Sequence, residues 1–449
     1  MAGIFKAYDI RGVYGKDVTE EVFGKIARAY AKFTGVRKVV VARDCRPHSD
    51  PLFEAFAKGL TESGADVIDI GHASTPMSYF ANGSLGADGS VMITASHNTK
   101  EWNGCKLCRG GAVPISGATG IADIERMVMS DDFGPAATAK GSVSKVDVLP
   151  AYAAHVRSFA RLARPLHIAC DFANGMGICE SKSFDGTALT FDSLYGEFDG
   201  SFPNHEANPL KTETLRDLQA LVRANPGKYA FGAAFDGDAD RVGFVDEKGD
   251  IIPMDFITAL VARDMLASTP GAACFYDLRS SRVVEETIAE CGGRPMMSRV
   301  GHSFIKDQMR QNDAVFAGEL SGHYYFKANY TAESSSMAVF ALANIVSASN
   351  RPLSELIAPL RKYVQSGEIN TRVAGDPASV LSRIKAEFEG KADRVFELDG
   401  VSVDKWESEG WWCNVRSSNT EPLVRLNLEA KTADVMAERR DALLAMIRA

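Results

Sequence analysis

No stretch of this sequence approaches the roughly 20 consecutive apolar residues needed to span a bilayer. The apolar run Met337–Ala343 is broken by Asn344 and reads as a buried helix. The first residues, Met1 to Tyr8, show no signal-peptide pattern. Cysteine is sparse, with eight in 449 residues. That spread suits reduced thiols in the cytoplasm better than a disulfide framework. Cys105 and Cys108 form a CxxC, but no second pair completes a zinc ribbon, so ordinary packing is the expectation. Positive charge is also short: 50 Lys and Arg against 58 Asp and Glu leave a net −8. An acidic surface attracts neither nucleic acid nor an anionic membrane, and no partner of either kind is expected. A few cations gathered in one cleft can still hold an anionic substrate.

What is present is an ordinary soluble composition, 45% apolar and 24% charged. At roughly 100–200 residues per domain, the length allows about two to four domains. The local pattern is strand, polar loop, helix, repeated. Val39–Ala42 runs into Arg43-Asp44, and Leu52–Leu60 follows as a helix with Pro51 at its start. Val67–Ile70 and Ser90–Ile93 are further strands, the latter ending in Thr94-Ala95-Ser96-His97-Asn98. After the polar stretch Asp131–Lys145 the pattern restarts, with Leu166–Cys170, then Tyr229–Phe235 running into Asp236-Gly237-Asp238-Ala239-Asp240-Arg241. A third unit carries Ala272–Tyr276, Pro295–Ser298 and Ala314–Ala317, the last entering Gly318-Glu319-Leu320-Ser321-Gly322-His323. Alternating strands and helices predict α/β units with mostly parallel sheets, whose ligands gather at the carboxyl ends of strands. From about Gly367 the texture becomes α+β, with a polar loop at Arg416–Glu421. The expected units are 1–145, 146–250, 251–366 and 367–449.

Three clusters carry chemistry. Asp236, Asp238 and Asp240 alternate just past an apolar strand; in an extended loop they share one side and repel unless a cation sits among them. Oxygen donors select Mg²⁺, Mn²⁺ or Ca²⁺. An EF-hand is the rival, but its glycine position holds Arg241 and a strand precedes it. The bland alternative is a solvated acidic turn. Ser96 ends a strand without a Gly-x-Ser-x-Gly elbow, which disfavours an α/β-hydrolase; taken alone it reads as a turn residue, and Lys106 as a surface lysine. Arg416-Ser417-Ser418-Asn419-Thr420 concentrates donors suited to a phosphate, although a plain strand-to-strand loop would look similar. Glu319 and Ser321 lie between glycines, where backbone can approach a sugar, and His323 beside them titrates near neutrality unless it is structural.

In order and spacing these clusters resemble the α-D-phosphohexomutase family, specifically its bacterial phosphomannomutase branch. The likeness covers essentially the whole chain: Phe5–Gly12, Thr94–Asn98 with Asn103-Gly104 and Lys106, Phe198–His205, Asp236–Arg241, Gly301-His302, Gly318–His323 and Arg416–Thr420. It implies three α/β domains and a C-terminal α+β domain around a central cleft. It implies that Ser96 carries a phosphoryl group, with Asp236, Asp238, Asp240 and Ser96 holding Mg²⁺. His97 and Arg241 would flank that centre, and Lys106 and His323 would be the proton-transfer candidates. Glu319 and Ser321 would grip the sugar. Arg416, Ser418, Asn419 and Thr420 would hold the other phosphate, with Tyr8, Arg11, Arg279, Arg282 and His302 also lining the substrate site. The implied reaction interconverts mannose 6-phosphate and mannose 1-phosphate through a hexose 1,6-bisphosphate, which also serves as activator. Glucose phosphates are the alternative substrates. The expected enzyme is a monomer, with a dimer the other option. The family usually has proline where this chain has Thr99, which leaves the serine loop without that stiffener. Leu320 stands where phosphoglucosamine mutases typically have Gln, favouring a neutral hexose. The rivals are a serine-dependent, metal-assisted sugar phosphatase, which would release free phosphate, and a non-catalytic sugar-phosphate sensor.

Overall fold

The computed structural model describes residues 3–135, 137–373, 375–417 and 423–448. Four sheets follow one another along the chain. The first has seven strands. In it Lys38–Arg43 runs parallel to Asp66–His72 and Gly89–Ile93, while Trp102–Arg109 joins antiparallel and carries Ile10–Val13 at the edge. Val39, Val40 and Val41 are fully buried, because helices cover both faces of a parallel sheet and its strands become continuously apolar. The helices do so with capped ends. Thr19 accepts from the Val22 N–H to start Glu20–Thr34, and Ser74 accepts from Met77 to start Thr75–Ser84 with proline in its first turn.

The second and third sheets each have five strands, with Leu166–Asp171 beside Gly232–Phe235 and Ala273–Asp277 beside Phe316–Gly318 as parallel pairs at their centres. The fourth is an antiparallel run of five strands, its core formed by Trp411, Val415, Leu426 and Leu428 against the helices Pro377–Phe388 and Ala433–Arg448. Three α/β units and one α+β unit thus succeed one another. Ile251–Ile252 pairs with Val242–Val245 and so belongs to the second sheet, and Val364–Arg372 belongs wholly to the fourth. The sheet edges therefore fall at 252 and 364 rather than at 250 and 366.

Met337–Ala343 lies in the helix Ser335–Ala348, buried nearly all round where the second and third units pack. No helix among the described residues is long and apolar enough to cross a membrane. Cys105 and Cys108 are both buried on the strand Trp102–Arg109. Three residues apart on a strand, they point to opposite faces and cannot grip one metal.

Candidate active site

The serine loop leaves the strand Gly89–Ile93 at the carboxyl end of the first sheet. Ser96 sits there with φ +51°, a left-handed conformation costly for a side-chain-bearing residue. Its surroundings impose that shape. The Ser96 N–H donates to Thr94 Oγ1. The fully buried Arg46 guanidinium donates to the carbonyls of Ser96, Asn98, Thr99 and Trp102 at 2.7–3.1 Å. Asp44 holds Arg46 in turn. Arg11 adds a bond to Asn98 Oδ1 at 2.8 Å. A guanidinium clamp thus fixes the loop that lacks proline at Thr99.

Ser96 Oγ donates to Asp236 Oδ2 at 2.8 Å, and His97 Nδ1 lies 3.3 Å from Ser96 Oγ. Burial, then the charges of Arg241 and Arg11, hold the His97 imidazole well below its usual range. Asp236, Asp238 and Asp240 each offer an oxygen within 4.8 Å of the others. They converge through a tight turn, closed by the Ala239 N–H to the Asp236 carbonyl and by Ala239 at φ +59°, rather than through the extended loop that the alternation suggested. The strand Gly232–Phe235 precedes this turn, as no EF-hand allows. All three carboxylates are buried, and Asp238 Oδ1 and Asp240 Oδ1 have no hydrogen-bond partner. Orphaned carboxylate oxygens beside a serine hydroxyl are the donor set a hard divalent cation takes. The group fits a metal ion.

Lys106 brings positive charge to this turn. It projects from the strand Trp102–Arg109, 5% exposed, with Nζ 2.6 Å from Asp238 Oδ2 and 2.5 Å from Asp240 Oδ2. Burial opposes its charge, but the two carboxylates outweigh that and raise its pKa. Burial and the neighbouring carboxylates also push Asp236 well up. Burial alone would raise Asp240, yet Lys106 and His323 hold it well down. Thr75, at the start of a helix in the first unit, donates its hydroxyl to Asp238 Oδ2 at 2.6 Å and its N–H to the Asp238 carbonyl.

The third unit supplies the facing wall. His323 pairs with Arg241 through a β-bridge, and Arg241 Nε lies 3.1 Å from His323 Nε2. Burial would lower this histidine, but the Asp240 carboxylate 3.4 Å away pushes it up to about 9. The two facts describe different states. A neutral ring accepts from Arg241 and keeps its proton on Nδ1, toward Glu319 3.1 Å away. A charged ring pairs with the carboxylates of Asp240 and Glu319. Glu319 accepts from the Gly301 N–H and the Tyr325 hydroxyl. Burial works against its charge, yet His323 and Tyr325 hold it down to about 2. Ser321 Oγ is 2.9 Å from His323 Nδ1. His302 lies against Tyr8, whose hydroxyl donates to the Val300 carbonyl across the boundary between first and third units. Gly301, at φ +130°, admits the Tyr8 ring where a Cβ would lie 2.7 Å from it. Arg279 forms a two-toothed pair with Asp277.

Residues of all four units line a cleft of about 900 Å³, and two of them, Arg241 and His323, adjoin the buried carboxylates of Asp236 and Asp240. Tyr8, Arg11, Arg241, Arg279, His302, Glu319, Ser321, His323 and Arg416 face it, and Arg425 joins them. Arg282 does not. Its backbone N–H donates to Glu429, and its guanidinium pairs with Asp404 and lies over the Trp406 ring, at a separate cavity behind the cleft. Ser418, Asn419 and Thr420 lie outside the described residues. Sequence reasoning missed Arg46, Thr75, Glu368 and Arg425. Only Arg46 left a signal, as the second member of an Asp-x-Arg pair ending an apolar strand.

A fold of this kind with this cleft has known relatives. Four family models match in succession: phosphoglucomutase/phosphomannomutase alpha/beta/alpha domain I over residues 2–134, domain II over 150–249, domain III over 253–363 and the C-terminal domain over 368–446. The chain belongs to the phosphoglucomutase/phosphomannomutase family, whose members are isomerases that move a phosphate on a hexose. Among its relatives, a phosphomannomutase of Escherichia coli is 37% identical over 456 residues, covering 99% of both chains. A phosphoglucomutase of Neisseria gonorrhoeae is 38% identical over 96% of this chain and 93% of its own. The crystal structure of a phosphoglucomutase/phosphomannomutase family protein from Burkholderia thailandensis superposes with a TM-score of 0.90 at 33% identity, covering 99% of this chain and 96% of that one.

Proposed function

We propose that this chain interconverts mannose 6-phosphate and mannose 1-phosphate, with glucose phosphates as the alternative pair, by passing a phosphoryl group through Ser96. The observation that carries the reading is Ser96 Oγ, 2.8 Å from Asp236 Oδ2 in a buried group of three carboxylates, two of them with an unpartnered oxygen, next to the Arg241 and His323 wall of a cleft rich in arginine. Asp236, Asp238 and Asp240, with the oxygen on Ser96, would hold Mg²⁺. When bound, that ion neutralises charge and polarises the phosphoryl group.

The remaining work falls to the side chains. The sugar's free hydroxyl oxygen forms a bond to the Ser96 phosphorus while the phosphorus–Oγ bond breaks, giving a hexose 1,6-bisphosphate. The hydroxyl proton needs an acceptor. His323, which lines the cleft, and Lys106, whose Nζ lies against Asp238 and Asp240, are the two candidates to take it. Glu319 and Ser321 would orient the ring. Arg416 would hold the phosphate that is not moving, because a guanidinium recognises the group and not the carbon bearing it. The bisphosphate turns over, and Ser96 takes back the other phosphate. Added bisphosphate would charge an empty Ser96 and so activate the enzyme. The sparse, unpaired cysteines support a cytoplasmic setting.

Phosphorus NMR on mannose, glucose and glucosamine 1-phosphates, with catalytic bisphosphate and Mg²⁺, tests the proposal. The expected result is a 6-phosphate from mannose and a slower one from glucose. Release of inorganic phosphate without isomerisation would convert the reading to a phosphatase.

A further inference from the structure

Arg416 and Arg425 stand directly opposite each other on the paired strands Trp411–Ser417 and Leu423–Ala430. Like charges in that relation destabilise a sheet unless an anion lies between them. The anion present is Glu368. It follows a bulge in the strand Val364–Arg372, made where Gly367 takes φ +65° and the register with Leu423–Ala430 shifts between Gln365 and Glu368. Such a bulge re-aims the next side chain. Glu368 lies two residues before Asn370, the partner of Arg425, and so shares the face of both arginines. Its carboxylate accepts from Arg416 Nη2 at 2.6 Å, lies 3.4 Å from Arg425 Nη1, and is 3.9 Å from Arg279 Nη1 across the boundary with the third unit. Two donors in this cluster, Arg416 Nε and Arg425 Nε, are buried and have no partner among the described residues. Burial opposes the charge on Glu368, but Arg416 and Arg425 keep it ionised.

We infer that Glu368 is a built-in anion that occupies the arginine cluster in the place of a substrate phosphate and limits how tightly that phosphate is gripped. The inference rests on the proposed phosphate-holding role of Arg416. Arg279 is neutralised by Asp277. Glu368 cancels one of the two remaining charges, on Arg416 and Arg425, so an arriving phosphate dianion meets one net positive charge instead of two. The grip must be firm enough to hold a sugar phosphate during transfer, yet weak enough to let a bisphosphate go when it turns. A competing carboxylate tethered two strands away provides that balance, because it re-pairs with the arginines as the phosphate leaves.

The test is Glu368→Gln in the full chain, with Glu368→Asp as the variant that keeps the charge. Calorimetry with inorganic phosphate reads the cluster directly, whether or not the chain is a mutase. The expected result is binding about tenfold tighter in Glu368→Gln, from one more uncompensated positive charge, and near-normal in Glu368→Asp. With sugar phosphates, KM and kcat should both fall, since tighter holding slows release. If Glu368 merely props Arg416 in place, Glu368→Gln will bind phosphate more weakly and raise KM, and the inference is overturned. Normal phosphate affinity in Glu368→Gln overturns it as well. A chain that isomerises no hexose phosphate, yet shows the tenfold gain for inorganic phosphate, would refute the mutase reading and leave this one standing.

Discussion

Lys106→Met isolates the charge balance at the carboxylate turn. Methionine keeps the length of the buried stem and removes the ammonium that touches Asp238 and Asp240 at 2.6 and 2.5 Å. The nearest replacement, Arg241 Nε, is 3.9 Å from Asp236 and 4.0 Å from Asp240, too far to take over both contacts. Breaking a buried pair from one side costs about 3–5 kcal/mol, because the partner charge stays buried and unpaired. At about 2–4 °C per kcal/mol for a cooperative unit of this size, the chelated variant should melt roughly 6–20 °C below the unsubstituted chain. A divalent cation at about 100 times its Kd returns about 2.7 kcal/mol. Mg²⁺ should therefore recover most of the loss in the variant, and stabilise the unsubstituted chain much less because there the ammonium already balances the site. Thermal scans by intrinsic fluorescence, with chelator and then with excess MgCl₂, read all four values. Equal melting of the two chains in chelator, or equal protection by Mg²⁺, would refute the view of Lys106 as the resident counter-cation.

Arg46→Met should release the Ser96 loop, since four carbonyls lose one shared donor; we expect kcat to fall at least tenfold with KM little changed, and a normal kcat would show that the loop holds φ +51° unaided. Burial pushes Glu429 up to about 7, against about 4.3 in an unfolded chain. A folded pKa raised above the unfolded one gives stability that is complete below about pH 4.3 and lost as pH rises through 7, here about 4 kcal/mol in all. Glu429 bonds Ser281, the Arg282 N–H and Trp412 at the joint of the third and fourth units. Denaturation of Glu429→Gln at pH 6 and pH 8 should therefore show less pH dependence than the unsubstituted chain, and an unchanged slope would rule this group out as its source.

The α/β texture was legible because short-range signals carry it. Apolar runs such as Val39–Ala42 ended at polar residues, and Pro51 marked a helix start. The hand-over of Ile251–Ile252 to the second sheet was not legible, because strand pairing is nonlocal and two apolar residues name no partner. The three aspartates were visible as a group, but their convergence depends on the left-handed Ala239, which the sequence does not advertise. Glu368 and Arg425 escaped notice because each looks like a surface charge on an edge of sheet. Only the pairing of Arg416 with Arg425 across two strands, and a bulge at Gly367, gives them a shared purpose.

The turn from Asp236 to Arg241 is touched from both sides, by Ser96, Thr75 and Lys106 before it and by His323 after it. Chains are made from the N-terminus at about 5–20 residues per second, so Ser96 leaves the ribosome roughly 7–28 s before Asp236, 140 residues later. During that interval the first unit can fold and Arg46 can already set the serine loop. Its hydroxyl still faces no carboxylate, and Lys106 has no anion to neutralise. A further 82 residues separate Arg241 from His323. A half-made chain therefore carries the Ser96 loop before any of the carboxylates that later meet it exist.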